Sequence, residues 1–203
     1  MILPILAIVI SALALTLSGF TAYLTLVRRG TVKMTRPTQI YFGPDKPQSL
    51  TDKPPPRIII RSLLFATSKR GRVIENIYIR LRRDETYQNF SIWTYGYEKP
   101  VLAGGLFVGE TGVEAYHYFL THDEGKPFTF DSGVYQIEIF AQVLGDKTRR
   151  LLFSDSIKLS QEIASQIENP WKGVYFDWDV YSGRYIPHLE TKPPNISTLF
   201  PKL

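Results

Sequence analysis

VYQIEIFAQVL (Val134–Leu144), the turn Gly145-Asp146-Lys147, and RLLFSDSIKL (Arg150–Leu159) decide how this chain is read. The first run places Tyr135, Ile137, Ile139, Ala141 and Val143 at every second position. The second repeats the pattern with Leu151, Phe153, Ile157 and Leu159. A period of two gathers such residues on one face of a strand, whereas a helix would scatter them. Two such runs joined by a Gly-containing turn predict an antiparallel pair.

Reading outward, the same rhythm persists. Arg57–Ala66 (RIIIRSLLFA) is a near-continuous apolar run and predicts a buried strand. Ile74–Arg82 alternates, with Ile77, Ile79 and Leu81 on one face and Tyr78, Arg80 and Arg82 on the other. Further strands are expected at Asn89–Tyr97, Leu106–Gly109 and Val113–Leu120. Ser160 is a candidate N-cap for a short helix over SQEIASQI, ending before Asn169-Pro170. Val174–Asp179 and Tyr185–Leu189 predict a C-terminal hairpin around Tyr181-Ser182-Gly183-Arg184. Frequent strands and turns without a βαβ rhythm argue for an antiparallel sandwich or barrel.

Asp131-Ser132-Gly133-Val134-Tyr135-Gln136-Ile137 resembles the DxGxYxC stretch of immunoglobulin-like domains. The resemblance covers about 100 residues and implies that Tyr135 forms a tyrosine corner before the sixth strand of the sandwich. Asp131 and Gly133 shape that corner, and Trp93 would be the core tryptophan. Ile137 stands where the family's disulfide cysteine would be, so the resemblance is to disulfide-free members. It implies a binding scaffold and no particular reaction.

The N-terminal 27 residues, MILPILAIVISALALTLSGFTAYLTLV, carry no charge. About 20 apolar residues cross a ~30 Å hydrocarbon core, so residues 2–27 predict one transmembrane helix. A cleaved signal peptide would need a cationic start, which is absent, and a small-x-small site, for which the region around Gly19 to Ala22 is poor. Arg28, Arg29, Lys33 and Arg36 come directly after the span, so this flank is expected on the cytoplasmic side and against anionic headgroups. The alternative places the domain outside, where Asn195-Ile196-Ser197 would be a glycosylation sequon. The expected organisation is an anchor with basic flank over 1–29, a juxtamembrane strand and Pro-rich connection over 30–56, a sandwich over 57–160, and a helix, aromatic hairpin and Pro-rich tail over 161–203.

The formal charge of +5 suggests nucleic acid, but its distribution does not. Four of the 24 basic residues lie in the first 36, leaving 20 against 19 acidic residues in the folded part. A nucleic-acid domain carries its excess on the folded surface. A second basic cluster, Ser68–Arg72 with Arg80, Arg82 and Arg83, falls on one hairpin and reads as a charged wet face.

With no cysteine, disulfides, thiolate metal sites and a cysteine nucleophile are excluded. There is no GxSxG elbow and no GxxxxGK[ST] loop. His117, His122 and Asp123 are weak metal-ligand candidates with no recognised spacing, and His117 fits better as a satisfied inward histidine. Asp177 and Asp179 share a strand face and read as solvated carboxylates. No cofactor is expected and the chain is read as a non-enzyme. Trp171, Tyr175, Tyr181 and Tyr185 either fold the hairpin onto the sandwich or offer an aromatic surface to a partner. The expectation is an anchored immunoglobulin-like sandwich that binds a protein at the membrane. A glycan- or lipid-binding module using the aromatic tail is the alternative, and a metal-dependent hydrolase is a weaker one.

Overall fold

The computed structural model describes residues 2–45, 55–96, 101–102, 104–121, 128–169 and 172–190. An α-helix, α1 (Ile2–Ala22), runs into one π-helical stretch, Tyr23–Val27, which Arg28 ends by turning into extended backbone. The strands in chain order are β1 (Val32–Met34), β2 (Gln39–Pro44), β3 (Pro56–Ala66), β4 (Arg72–Arg83) and β5 (Thr86–Gly96). Next come β6 (Val101–Leu102), β7 (Leu106–Val108), β8 (Val113–Leu120), β9 (Gly133–Val143) and β10 (Arg150–Leu159). Helix α2 (Gln161–Ile167) precedes β11 (Gly173–Asp179) and β12 (Arg184–Glu190). Ser160 caps α2 by accepting a hydrogen bond from the Ile163 N–H at 3.3 Å.

All described strand pairs are antiparallel and belong to one sheet in the order β10-β9-β4-β5-β8-β3-β2-β11-β12. Three short strands join its sides: β1 on β3, β6 on β5 and β7 on β4. The alternating residues of β4 and β9 (Ile77, Ile79, Leu81, Ile137, Ile139 and Ala141) turn inward as the period of two requires. They meet Ile40, Phe42, Ile58 and Ile60 from β2 and β3 in the same core. The sheet therefore bends round so that its β4–β9 side and its β2–β3 side line one core. A bulge between Ile92 and Thr94 interrupts the pairing of β5 with β8, near the middle of the strand order.

Bulges also explain two departures from simple alternation. Trp93 is the unpaired residue of the β5 bulge and stands 51% exposed, so it is not the core tryptophan. A shift between Leu151 and Phe153 in β10 turns Leu151 outward, while Ile157 and Leu159 stay buried. The boundaries expected at 57 and 160 fall inside the sheet, because β2 and β11 lie next to each other within it. Ile40, Tyr41 and Phe42, expected in a juxtamembrane strand and connection outside the sandwich, are fully or nearly fully buried.

One close approach sets a strict requirement. The Tyr41 ring lies across Gly43 and Gly173, and a Cβ at Gly173 would come within 2.2 Å of its Cε2 and hydroxyl oxygen. Gly173→Ala should lower stability by about 1–3 kcal/mol through forced repacking. Gly104→Ala, which meets nothing within 4 Å, should leave the thermal midpoint of the detergent-solubilised protein close to that of the parent. Equal midpoints for both variants would refute this packing account.

Candidate functional site

The C-terminal hairpin brings together the most varied side chains. β11 pairs with β2 (Val174↔Phe42, Tyr175↔Tyr41) and with β12 (Tyr175↔His188, Trp178↔Tyr185). Alternation sends Val174 and Phe176 into the core and Tyr175 to the outer face. There Tyr175 joins Tyr41, Ile59, Tyr116 and Tyr118 in a second buried cluster. The Tyr41 and Tyr175 ring centroids are 4.9 Å apart, and His188 stacks on Tyr175 at 5.4 Å.

Charged groups roof this cluster. Arg57 lies 5.6 Å from the Tyr41 ring and 5.9 Å from the Tyr118 ring, and Asp45 holds it at 2.6 Å. Arg61 stands 5.7 Å from the Tyr116 ring and 3.1 Å from Glu114. Asp177 accepts a hydrogen bond from Gln39 Nε2 at 2.8 Å and lies 2.9 Å from His188 Nδ1. Burial pushes the Tyr116 and Tyr118 hydroxyls above the ordinary tyrosine range, against the pull of Arg61 and Arg57. They stay protonated at neutral pH. The face offers neutral phenols beneath a charged rim, which suits recognition better than nucleophilic chemistry.

The candidate aromatics separate sharply. Tyr175 is buried, so it is not a contact residue for a partner. The physical reason is its position between β2 and β12, under His188. Tyr185 is half-buried, and its hydroxyl donates to the Pro37 carbonyl at 2.8 Å. Tyr181 projects fully into solvent beside exposed Val180 at the β11–β12 turn. Asp179 fixes that turn by accepting from the Tyr181 and Ser182 N–H groups at 3.2 and 3.0 Å. Hydrogen bonds from Ser182 hold its carboxyl below the usual range. Asp177 and Asp179 thus have separate partners and do not act as a carboxylate pair. Trp171, His122, Asp123 and the sequon at Asn195 lie outside the described residues.

Arg36 has a different place from Arg28, Arg29 and Lys33. All four are exposed, but among the described residues only Arg36 forms an ion pair. The Arg36 guanidinium lies 3.9 Å from the Trp178 ring centroid and 5.6 Å from that of Phe153, and it forms an ion pair with Asp155. Phe153 and Asp155 belong to β10 and Trp178 to β11, near opposite ends of the strand order. Arg36 therefore bridges the two ends of the folded sheet, and the ion pair with Asp155 holds its charge within the domain. Sequence position alone grouped it with the membrane flank. No linear motif signals a contact made across 119 residues.

Asp131, Gly133 and Tyr135 form one corner. The Tyr135 hydroxyl donates to the Asp131 carbonyl at 2.7 Å, and Arg83 pairs with the Asp131 carboxylate at 2.9 Å. Gly133 has φ +147°. His117 faces inward and is fully buried, in register with Ile60 and Tyr95. Neither of its ring nitrogens meets a hydrogen-bond partner among the described residues. It is an inward histidine but not a satisfied one. Burial pushes it down to about 4. Among the described residues no group of three His, Asp or Glu side chains could hold a metal.

Thermal melts can check both His117 and Arg36. As pH falls, the unfolded chain takes up the His117 proton near 6.5 while the folded chain resists until about 4. Stability is full above that window and should fall by on the order of 3 kcal/mol across it. His117→Leu should flatten the drop in melting temperature between pH 7 and pH 4.5, and an unchanged drop would assign it elsewhere. Arg36→Ala should cost about 1–2 kcal/mol from the lost ring and ion-pair contacts. Arg36→Lys should recover less than half of that, because an ammonium cannot stack flat on Trp178. No protein-family model matches the chain, and none of the curated proteins matches it.

Proposed function

We propose that this chain is a single-pass membrane protein whose β domain, an immunoglobulin-like sandwich on the cytoplasmic side, holds a protein partner at the membrane. The observation that carries this reading is the state of the N-terminal helix. Leu3–Thr25 forms a 23-residue helix of mean hydropathy 2.3 with none of it buried against the domain. A soluble protein would leave that much apolar surface in water at a large cost. A bilayer removes the cost, and the length suits a ~30 Å core with modest tilt. Ser11, Thr16, Thr21 and Thr25 return their hydroxyls to helix carbonyls at 2.8 Å, the satisfaction a span requires.

Support for the sandwich class comes from strand order and the Tyr135 corner. β10-β9-β4-β5 on one side and β8-β3-β2 on the other match the order G-F-C-C′ and E-B-A of that class. The Tyr135 hydroxyl bonds back four residues, as the tyrosine corner requires. The proposed partner surface is the hairpin tip, where Val180 and Tyr181 are exposed in the β11–β12 turn, with Ile186 exposed further along β12. Tyrosine in such a setting supplies large contact area at low entropic cost. Among the described residues Tyr175 is buried and Trp178 lies beneath Arg36, so these two rings offer no broad platform to a sugar.

The test is purification of the full-length protein in mild detergent. A stoichiometric partner should co-purify, and Val180→Ser with Tyr181→Ala should cut its recovery by about tenfold or more. Recovery unchanged by the double variant would remove the hairpin tip as the surface. A chain that purifies alone would count against the partner reading.

A further inference from the structure

The end of the domain that receives the helix carries a set of cations that the sequence disperses. Only Arg28 and Arg29 separate Val27, the last helical residue, from buried Gly30. Gly30 packs against Ser68, and its carbonyl accepts from Arg72 Nη1 at 3.3 Å. Thr31 and Thr67 then exchange hydrogen bonds, with Thr31 N–H donating to Thr67 Oγ1 at 2.8 Å and Thr67 N–H to the Thr31 carbonyl at 2.9 Å. β1 continues this clamp through Val32↔Ala66. Three residues reach at most about 11 Å. The β3–β4 turn is thus held within that distance of the helix end, comparable to a headgroup layer of roughly 5–7 Å plus a Debye length of about 8 Å.

That turn carries Lys69 and Arg70, both exposed. The β9–β10 turn lies beside it, because Arg72 donates to the Leu144 carbonyl at 3.2 Å and to Asp146 at 2.6 Å. Asp146 also binds Arg150 at 2.6 Å, so its charge is spent inside the domain. Lys147, next to it, is exposed and forms no ion pair among the described residues. The same holds for Arg28, Arg29, Lys69 and Arg70 among the described residues. Among the described residues two exposed acids lie toward this end: Glu110, in the β7–β8 turn whose Gly109 carbonyl accepts from the Ala66 N–H, and Glu75, at the β4 bulge opposite Val143 and Gln142. Two large apolar side chains stand among these cations: Phe107, whose ring covers Gly71, and Leu144, both more than half exposed. Cations around protruding apolar groups match the chemistry of an anionic lipid surface. The basic cluster read from the sequence divides here. Arg82 and Arg83 lie at the far end of β4, beside Asp84 and Glu85, and play no part.

From this geometry we infer that the β3–β4 and β9–β10 turns form a docking face for anionic phospholipid headgroups, holding the domain against the bilayer. Lys69, Arg70 and Lys147 supply the charge, and Phe107 and Leu144 enter the headgroup layer. The inference rests on the reading of α1 as a span. The domain is then oriented end-on, which leaves the Arg83 end pointing away from the membrane.

The absence of cysteine makes the test clean. Thr148→Cys, in the β9–β10 turn, and Glu85→Cys, at the far end, each take a single fluorophore in the full-length protein. Nanodiscs contain headgroup-spin-labelled lipid in either phosphatidylcholine alone or a mixture with about 30% phosphatidylserine. The Thr148→Cys label should be quenched more strongly in anionic discs, by about twofold, and should lose that excess in ~1 M salt. Lys69→Glu, Arg70→Glu and Lys147→Glu together should also remove it, and the Glu85→Cys label should respond to neither lipid. Equal quenching in both lipids, or an excess that survives the triple variant, would overturn docking while leaving the anchor intact. Failure of the protein to co-elute with discs of either composition would overturn the anchor itself and the docking with it.

Discussion

Phe42 is where the two sides of the sheet meet. It lies on β2, fully buried, with its ring stacked on Phe130 at 4.9 Å and set edgewise to Tyr135 at 6.1 Å and Phe176 at 5.2 Å. Phe176 comes from β11 beside it, while Phe130 and Tyr135 come from the approach to β9 and its start on the other side. Offset and edgewise rings contribute beyond their buried area. The placement matters as much as the energy. A sheet of this length must bend round or leave one apolar face wet, and the Phe42 cluster fills the space that bending round creates.

Other features are arranged around that closure. The β5 bulge at Trp93 interrupts the pairing with β8, near the middle of the strand order. Arg36 reaches from the segment between β1 and β2 to Asp155 on β10 and Trp178 on β11, bridging the sheet from outside the core. On the outer side of β2, Tyr41 lies flat across two glycines and carries the second cluster with Tyr175. One short strand, β2, thus supplies the inner contact, the outer contact and the pairing partner of the C-terminal hairpin. His117 is the polar cost of this packing, buried without a hydrogen-bond partner among the described residues.

The membrane reading and the domain architecture are linked through four residues. Arg28 and Arg29 leave the helix, and Gly30 and Thr31 are pinned to Ser68 and Thr67. So short a connection leaves little freedom between helix and domain. β11 runs in the same direction as β3, since each is antiparallel to β2, so the hairpin tip with Tyr181 is a separate turn at the same end of the sheet as the loose cations. The proposed partner surface and the proposed lipid surface use different residues on different strands. Because the residues are distinct, each surface can be varied by its own substitutions.

Local periodicity was enough to place most strands from Arg57 onward and the Ser160-capped helix, because burial on one face leaves a mark every second or fourth residue, while the N-terminal helix was legible from 27 residues without a charge. The Asp131–Tyr135 corner was signalled only by the resemblance of its residues to a family motif, and the Tyr135 hydroxyl bonds to the Asp131 carbonyl. Three things needed the tertiary structure. Gln39–Pro44 is too short for periodicity to separate it from a linker, and only pairing with β3 and β11 makes it central. Trp93 and Leu151 keep the strand rhythm in sequence but sit at or beside bulges, whose extra residue reverses the facing of the next part of the strand. Arg36, Lys69, Arg70 and Lys147 are all cations in a linear reading. Which of them is held within the domain and which stands free is set by long-range contacts, to Asp155, Asp146 and the Thr31–Thr67 clamp, that no local spacing encodes.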